Sequence, residues 1–216
     1  TQLLKDAGFK VLYQMMPNLY GSSPTRDLKM FKTLFADSRF QPDLLKIYPC
    51  ALLKSAPLSK IWRKGDYKPY AEKQLISLVR AIKKEIPRYV RIQRITRDIP
   101  SKSISAGPAK ISNLRQLVSG DCKCIRCREV KENYDPKEKL YLFRQNYEAS
   151  GGKEIFLSYE NKNKEKLYSL LRLRLTSEKT AVIREIHTYG QLQSIIRSSS
   201  SDDSPQHKGL VKKLIA

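Results

Sequence analysis

Short apolar runs alternate with amphipathic helical segments along the first third of the chain. The β-prone runs are Phe9–Gln14, Leu44–Tyr48 and Tyr89–Ile95. Between them, apolar residues recur with helical spacing after Thr25, which is expected to cap a helix, and again from Ala71 to Pro87. A strand–helix–strand–helix–strand order predicts parallel pairing, and three strands are too few to close a barrel. We therefore expect the C-terminal portion of a larger α/β barrel.

The hydrophobic period changes to two in the second half of the chain, from about Tyr134 onwards. Four strand-like segments without intervening helices are expected: Leu140–Glu148, Glu154–Tyr159, Leu167–Leu175 and Thr180–Tyr189. The turn signal Gly151-Gly152 separates the first two, so these should form a hairpin. Arg172 and Arg174 alternate with leucines along the third segment and should share one face. This pattern predicts an antiparallel meander that begins a second domain.

Three of the four cysteines fall within a stretch of six residues. Their C-x-C-x-x-C spacing lets thiolates converge on one tetrahedral zinc ion, and we predict Cys122, Cys124 and Cys127 as its ligands. The alternatives are an uncoordinated thiol cluster or a disulfide, although a disulfide within so short a segment would be strained. The segment supplies no fourth ligand. The candidates for that position are Cys50, His187, His207 and water.

The charge balance favours a polyanionic partner. The chain carries 42 basic and 21 acidic residues, a net charge of +21. Such a surplus indicates nucleic acid, although a lysine-rich genome bias, visible at Asn161–Lys166, would explain part of it. Seven basic residues and two acidic residues lie between Ser101 and Lys131, around the cysteines. No apolar run approaches the roughly 20 residues of a membrane span, and the few clustered cysteines suit a reducing, cytoplasmic compartment.

Residues at the C-terminal ends of barrel strands carry the chemistry in such folds. Lys46 is a cation in an otherwise apolar strand and is a candidate for the barrel mouth, the alternative being a rim lysine that extends to water. Arg91, Arg94 and Arg97 recur every three residues at the third strand. On a strand this spacing places neighbours on alternate faces. Some of these arginines should face the barrel mouth or bound phosphate, and a solvated face is the alternative.

The C-terminal segment combines a loop with an amphipathic helix. Ser198–Pro205 is polar and of low complexity, and Gln206–Ile215 reads as a loop that leads into a basic helix. A strand, a Q-x-x-G loop and a helix resemble the coenzyme A motif of the GCN5-related N-acetyltransferases. Backbone N–H groups at the start of such a helix point at the pyrophosphate. The motif is weak by itself because Q-x-x-G occurs often by chance.

A series of motifs runs through the whole chain. They are, in order, G-F-K-V, M-M-P, L-K-I-Y-P, R-I-x-R-D-I-P, C-x-C-I-R-C-R-E-V, Y-x-A-x-G-G-x-E-x-F-L-S-Y-E, L-L-R-L-R, R-E-I-H-x-Y-G and Q-H-K-G-L. Together they resemble the catalytic acetyltransferase subunit of Elongator in its archaeal-like form. In that family a radical S-adenosylmethionine barrel is joined through a zinc-binding segment to a GCN5-related acetyltransferase domain. Its members use acetyl-CoA to build a carboxymethyl group on position five of the wobble uridine of tRNA.

The resemblance implies domain ranges and site residues. The barrel portion would span residues 1–115, a zinc-binding basic linker 116–133, and a partial acetyltransferase domain 134–216. Cys122, Cys124 and Cys127 match the zinc cysteines of the family, while Lys46 and Arg94–Pro100 match the barrel mouth and the tRNA surface. The tRNA-binding candidates are Arg91, Arg94, Arg97, Lys123, Arg126 and Arg128. The acetyl-CoA-binding candidates are Glu185, Ile186, His187, Thr188, Gln206, Gly209, Leu210, Val211 and Lys212.

The chain also departs from the family pattern. The three cysteines that hold the family's [4Fe–4S] cluster, beside its S-adenosylmethionine, are absent from this sequence. Gln14 stands where the family has His, Lys153 where it has Trp, and Val211 where a glycine leaves room for the pyrophosphate. We expect a fragment, a split-gene half or a decayed copy, with tRNA, the missing barrel half and other Elongator-like subunits as partners. The alternatives are a non-catalytic zinc-stapled RNA-binding module and a protein-lysine (histone) acetyltransferase.

Overall fold

A computed structural model describes residues 1–107, 114–132, 134–177, 180–191, 204–206 and 208–216. The chain divides into two compact units, which we term the αβ unit and the meander unit. The αβ unit comprises Leu12–Asp37 and Pro42–Cys124. The meander unit comprises Thr1–Val11, Ser38–Gln41 and Ile125–Ala216. The first residues of the chain therefore belong with the C-terminal strands.

A parallel three-stranded sheet forms the centre of the αβ unit. Its strands are β1 (Leu12–Met15), β2 (Leu44–Ile47) and β4 (Arg91–Ile95), with β2 in the middle. Helix α2 (Pro24–Ala36) lies between β1 and β2 in the chain, and helix α4 (Glu72–Glu85) precedes β4. The two helices bury the apolar faces that the sequence predicts, namely Phe31, Leu34, Leu75, Leu78, Val79 and Ile82. The prediction of a mixed α/β unit with parallel strands is confirmed.

The start of α2 differs from the prediction by two residues. Ser23 is the N-cap, and its side-chain oxygen accepts a hydrogen bond from the backbone N–H of Arg26 at 3.3 Å. Pro24 occupies the first helical position. The backbone N–H of that position makes no intrahelical hydrogen bond, so a proline, which lacks this N–H, fits there at no cost. Thr25 lies inside the first turn and is not the cap. A Ser-Pro pair is thus the better start signal here than the following threonine.

Several short elements of the αβ unit have no counterpart in the hydrophobic pattern. Strand β3 (Leu52–Leu53) pairs antiparallel with β5 (Ile104–Ala106), which follows a 3₁₀ turn at Ser101–Ser103. Helix α3 (Leu58–Arg63) follows β3, and helix α5 spans Leu114–Leu117. Elements of two to six residues are too short to display a period, and this is why sequence analysis does not find them.

Four antiparallel strands form the sheet of the meander unit. They are β6 (Tyr141–Ala149), β7 (Gly152–Glu160), β8 (Leu167–Leu175) and β9 (Ala181–Thr188), paired in chain order. Helix α6 (Ile125–Arg128) precedes the sheet, and helix α7 (Leu210–Ile215) lies against β7, β8 and β9. The predicted hairpin and meander match these strands. Among the described residues, every helix is too short or too polar to cross a bilayer.

The arginine-bearing face of β8 is buried, while its leucine-bearing face is buried at Leu171 and becomes more open towards the end of the strand. Arg172 and Arg174 are both 0% exposed, whereas Leu173 and Leu175 are half-exposed. Burying a guanidinium group is costly unless it is paired and hydrogen-bonded. The alternation was predicted correctly, but polarity alone does not show which of the two faces is covered.

Acidic partners inside the meander unit compensate these buried cations. The Arg172 Nε atom donates to Glu185 at 2.7 Å, and Arg174 Nη1 donates to Glu154 at 3.0 Å. Helix α1 (Gln2–Asp6) contributes Asp6, whose carboxylate accepts from Arg174 Nε at 2.5 Å. The N-terminal helix is thus tied to the sheet by an ion pair.

Candidate metal and substrate sites

The cysteine segment forms a compact group of three sulfur atoms. Cys122 and Cys124 precede α6, and Cys127 lies within its single turn. The three Sγ atoms all lie within 4.8 Å of one another, and none of the four cysteines forms a disulfide. Zinc–sulfur bonds of about 2.3 Å in a tetrahedral site require sulfur–sulfur separations of about 3.8 Å. Small side-chain shifts would bring these thiols to that geometry, so the group fits a zinc ion.

Two candidates for the fourth ligand lie elsewhere. Cys50 is buried, and burial raises the pKa of its thiol despite a hydrogen bond with Tyr67. The His187 ring packs against the Tyr189 ring, with 4.4 Å between centroids. Neither residue joins the three-cysteine group among the described residues. His207 lies outside the described residues. The described residues therefore supply three candidate ligands to this group.

One of the predicted tRNA contacts beside the cysteines is buried. Arg128 is only 5% exposed and forms an ion pair with the Glu160 carboxylate. The Ser158 hydroxyl donates to the other oxygen of that carboxylate at 2.7 Å. Arg128 thus pairs with a buried carboxylate of β7, a role that the basic stretch around the cysteines does not indicate. Lys123 is exposed and Arg126 half-exposed, and both stay candidates for phosphate binding.

A row of polar residues crosses the parallel sheet near the carboxyl ends of its strands. In the strand register Lys46 lies beside Gln14 on β1 and beside Arg94 on β4. Lys46 is half-exposed between its buried neighbours Leu45 and Ile47. Parallel strands present catalytic side chains at this edge. The register thus brings together a predicted barrel-mouth residue and a predicted tRNA-binding residue.

The other arginines at this edge are placed less uniformly. Arg94 is exposed, and its guanidinium group pairs with the Asp98 carboxylate at 2.6 Å. Arg91 is half-buried and Arg97 is exposed. The three arginines therefore do not form one continuous stripe. This agrees with their spacing of three residues, which places neighbours on alternate faces of a strand. Of these three arginines, Arg94 and Arg97 are exposed enough for their guanidinium groups to reach an external phosphate.

The predicted acetyl-CoA residues lie on β9 and around the start of α7. Burial alone would raise the pKa of Glu185, but the Arg172 guanidinium and the Lys10 ammonium hold it below its usual range. Its carboxylate is therefore a structural ion-pair partner. The Ser169 hydroxyl donates to the His187 carbonyl at 2.9 Å and lies 3.0 Å from the Thr188 hydroxyl. Ile186 is half-buried on the same strand.

Gly209 sets the backbone at the start of α7. It is the N-cap residue with φ +74°, a conformation that glycine adopts without strain. Within the following helix Leu210 is buried, Val211 half-buried and Lys212 exposed. The Gln206 N–H donates to the Ser204 hydroxyl at 3.3 Å. These residues and β9 thus belong to one unit, with α7 packed on the sheet.

Sequence analysis misses a buried polar cluster that follows β1. The Asn18 backbone N–H and the Tyr70 hydroxyl donate to the Asp27 carboxylate at 2.7 and 2.8 Å. The Tyr67 hydroxyl donates to the Asn18 carbonyl at 2.7 Å, and the Tyr70 N–H donates to the Asn18 side-chain oxygen at 2.9 Å. Burial and the Asp27 carboxylate raise the pKa of Tyr70 to about 12. These residues lie far apart in sequence, so no local motif indicates that they meet.

Comparison with known proteins shows what the chain is similar to. Residues 42–123 match the radical SAM C-terminal domain. Over its whole length the chain is 42% identical to a tRNA uridine(34) acetyltransferase of Methanocaldococcus jannaschii, and it covers 43% of that protein. Over 96% of its length it is 37% identical to human Elongator complex protein 3, of which it covers 41%. The chain is thus similar over nearly its whole length to proteins named tRNA uridine(34) acetyltransferase and Elongator complex protein 3.

A solved structure supports the same relationship. Methanocaldococcus infernus Elp3 with an N-terminal deletion superposes with a TM-score of 0.87 at 40% identity, covering all of this chain and 55% of that one. The resemblance drawn from the sequence motifs is confirmed. The chain spans about half the length of these relatives or less. The radical SAM C-terminal domain match, residues 42–123, coincides with the second segment of the αβ unit.

Proposed function

We propose that this protein takes part in the acetyl-CoA-dependent modification of the wobble uridine of tRNA. The observation that carries the proposal is its identity of 41–42% over the full chain with proteins named tRNA uridine(34) acetyltransferase. The net charge of +21 suits a tRNA partner. The reaction class is acyl transfer in a radical S-adenosylmethionine family.

Distinct parts of the chain would serve distinct substrates. The row formed by Gln14, Lys46 and Arg94 lies at the carboxyl edge of the parallel sheet and would face the target nucleotide. The β9 strand and the segment from Gln206 to Lys212 would bind acetyl-CoA, as part of a partial GCN5-related acetyltransferase domain. Backbone N–H groups around Gly209 would offer hydrogen bonds to the pyrophosphate.

The three cysteines would hold a structural zinc ion. Their spacing and the 4.8 Å limit on their sulfur separations both suit that ion. Zinc would fix the conformation of the basic segment that carries Lys123 and Arg126. A segment that is already ordered loses less conformational entropy when its charges bind phosphate groups. Water, or a ligand from outside the described residues, would complete the coordination.

Radical chemistry requires groups that these residues do not hold. In the complete family enzyme a [4Fe–4S] cluster supplies the electron that activates S-adenosylmethionine. The three cysteines that bind the cluster are not among the 216 residues, and the Cys122–Cys127 set has zinc-type spacing. We assign no residue of this chain to the cluster and expect the chain by itself to form no 5′-deoxyadenosine.

Acetyl-CoA binding should be weaker than in a complete family member. Val211 stands where the family has glycine, and its branched side chain would crowd the pyrophosphate. The six-residue helix α7 is too short to be stable without its packing on the sheet. Calorimetry on the chain and on Val211→Gly would show how much of the deficit is steric.

A second candidate function is a non-catalytic, zinc-stapled RNA-binding module. The departures at Gln14 and Val211 favour it, because Gln14 lies in the polar row at the carboxyl edge of the sheet and Val211 in the expected pyrophosphate loop. The +21 charge suits it equally well. This module would bind tRNA as the enzyme does but would leave the wobble uridine unmodified.

Nucleoside analysis of tRNA tests the proposal. In cells lacking this gene, mass spectrometry should show loss of carboxymethyl-type uridines at the wobble position, while pseudouridine and dihydrouridine in the same tRNAs stay unchanged. Restoring the gene should restore the modification, and restoring it as Lys46→Met should not. Unchanged wobble uridines in the deletion strain, with tRNA still bound by the purified chain, would favour the non-catalytic module.

A further inference from the structure

A basic segment in the αβ unit is not among the residues that the motifs single out. Residues 54–68 contain five basic side chains and one acidic side chain. All five basic side chains are exposed; they are Lys54, Lys60, Arg63, Lys64 and Lys68. None of them pairs with a carboxylate in the described part of the chain. A concentration of uncompensated positive charge on a surface indicates an anionic partner.

Helix α3 places three of these charges on one side. Lys60, Arg63 and Lys64 are spaced i, i+3 and i+4, which puts them on the same helix face. The opposite side of the helix carries the half-buried Leu58, Ile61 and Trp62. Ser59 is buried, and its hydroxyl donates to the Lys54 carbonyl at 3.1 Å. The backbone leaves the helix at Gly65, with φ +86°. The three charges therefore lie on a helix turn with a defined backbone conformation.

Buried hydrogen bonds tie this segment to the carboxyl edge of the parallel sheet. Tyr67 is only 6% exposed, and its hydroxyl donates to the Asn18 carbonyl, three residues beyond the end of β1. Cys50, just after β2, donates its N–H to the Pro17 carbonyl at 2.8 Å. The loops that follow β1 and β2 and the basic segment thus converge at the edge where the target nucleotide would lie.

An exposed aromatic ring stands beside the same edge. Tyr20 is 54% exposed, and its ring packs edge-on against the Tyr67 ring with 6.3 Å between centroids. An aromatic face next to clustered cations is the combination with which proteins hold unpaired bases and their phosphates. The wobble uridine named for the relatives is an unpaired anticodon base, so an RNA loop suits this surface better than a duplex.

From this arrangement we infer that the basic face of α3, with Tyr20, is a docking surface for the anticodon arm of tRNA. Lys60, Arg63, Lys64 and Lys68 contact the phosphates, and the Tyr20 ring stacks on an unpaired base. The inference rests on the proposed function. It adds a contact surface to the one expected from Arg94, Arg97 and the cysteine segment.

The salt dependence of tRNA binding tests the phosphate contacts. For single-stranded segments each contact contributes about 0.7 to the slope of log Kobs against log[salt]. Replacing Lys60, Arg63 and Lys64 with Gln should lower the slope by about 2 and weaken binding on the order of tenfold or more at physiological salt. The matched control replaces the exposed Lys29, Lys73 and Lys162 with Gln, removes the same charge, and should change both quantities much less.

Stacking is tested separately with Tyr20. Tyr20→Ala should weaken binding of an anticodon stem-loop about tenfold, and Tyr20→Phe should retain it, because the ring and not the hydroxyl makes the contact. Binding of a fully paired RNA of equal charge should be unaffected by either change. All of these positions are exposed, so thermal unfolding should match that of the unaltered chain and exclude loss of fold.

The possible results distinguish a failure of the proposed function from a failure of the docking surface. If the unaltered chain binds no tRNA, both the proposed function and this surface are wrong. If it binds tRNA with a steep salt slope and the α3 variant keeps that slope, only the surface is wrong. Equal loss in the α3 variant and its control, or equal competition by polyglutamate, would indicate diffuse attraction to any polyanion and would also overturn the surface.

Discussion

Glu154 is the residue whose loss should most damage the meander unit. It is 1% exposed and lies at the centre of three cations. Arg174 Nη1 lies 3.0 Å and Lys5 Nζ 3.8 Å from one carboxylate oxygen, and Arg184 Nη2 lies 2.8 Å from the other. Glu154→Gln keeps the shape of the side chain and removes its charge. Three buried cations would then lose the Glu154 charge, while the Asp6 carboxylate stays bound to Arg174.

The loss of folding free energy expected for Glu154→Gln follows from the cost of leaving a buried charge uncompensated. Removing one partner of a buried ion pair costs about 3–5 kcal/mol. Because Lys5 and Arg184 also donate to the carbonyls of Gln41 and Phe9, both at 2.8 Å, we expect the lower end, about 3 kcal/mol. This corresponds to roughly a 150-fold change in an opening equilibrium, at about 1.36 kcal/mol per factor of ten.

Hydrogen exchange measures this effect separately in each unit. Amide protection in β7 and β8 should fall about 150-fold in Glu154→Gln, while protection in α4 of the αβ unit stays unchanged. The control is Glu148→Gln on β6, an exposed glutamate, with an expected effect within about 0.5 kcal/mol. Adding Arg174→Met to Glu154→Gln should recover about 1 kcal/mol, because an apolar side chain tolerates the buried position better than an unpaired guanidinium.

One result would refute this reasoning. If protection in β7 and β8 of Glu154→Gln stays within about twofold of the unaltered chain, the buried cations do not depend on the Glu154 charge. A loss of protection spread equally over α4 would likewise contradict the assignment of Glu154 to the meander unit.

Two further predictions concern metal and pH. Cys124→Ser should reduce bound zinc from about one per chain to below about 0.2, while Cys50→Ser should retain it, as measured by metal analysis of purified protein; equal zinc in both variants would contradict the assigned ligands. The pKa of Glu185 is held below its usual range in the folded chain, so its stabilising contribution is present above the unfolded pKa and is lost as pH falls through the folded pKa. Lys10→Gln should raise the folded pKa of Glu185, followed by carboxyl ¹³C NMR, and should move the acid loss of stability to higher pH, whereas Lys10→Arg should leave both unchanged.

Local patterns predicted the regular elements well. The apolar faces of α2 and α4 and the four meander strands repeat over eight or more residues, long enough for a period to be detected. The three clustered cysteines and the family motifs lie within short stretches of sequence. Such features depend on neighbours in the chain, and a sequence displays those neighbours directly.

Long-range contacts account for what sequence analysis missed. Arg128 lies in a basic stretch and reads as a surface residue, but Glu160 on β7 buries it. The buried hydrogen bonds of Asn18 form only when the fold brings Tyr67 and Tyr70, about 50 residues further along the chain, into contact with it. The buried state of Arg172 and Arg174 likewise depends on Glu185, Glu154 and Asp6. No periodicity encodes which distant partner neutralises a charge.

The first helix of the chain has a consequence for how the protein is made. Asp6 and its partner Arg174 are 168 residues apart, and Phe9 and its partner Arg184 are 175 residues apart. At a synthesis rate of about 5–20 residues per second, the helix waits roughly 10–30 s for strands that have not yet left the ribosome. Leu12–Asp37 and Pro42–Cys124 can fold during that interval, but the buried charges on α1 stay in water until β8 and β9 emerge. Strands that are synthesised later therefore complete a structure that α1 began, and chaperone dependence should be concentrated in this delay.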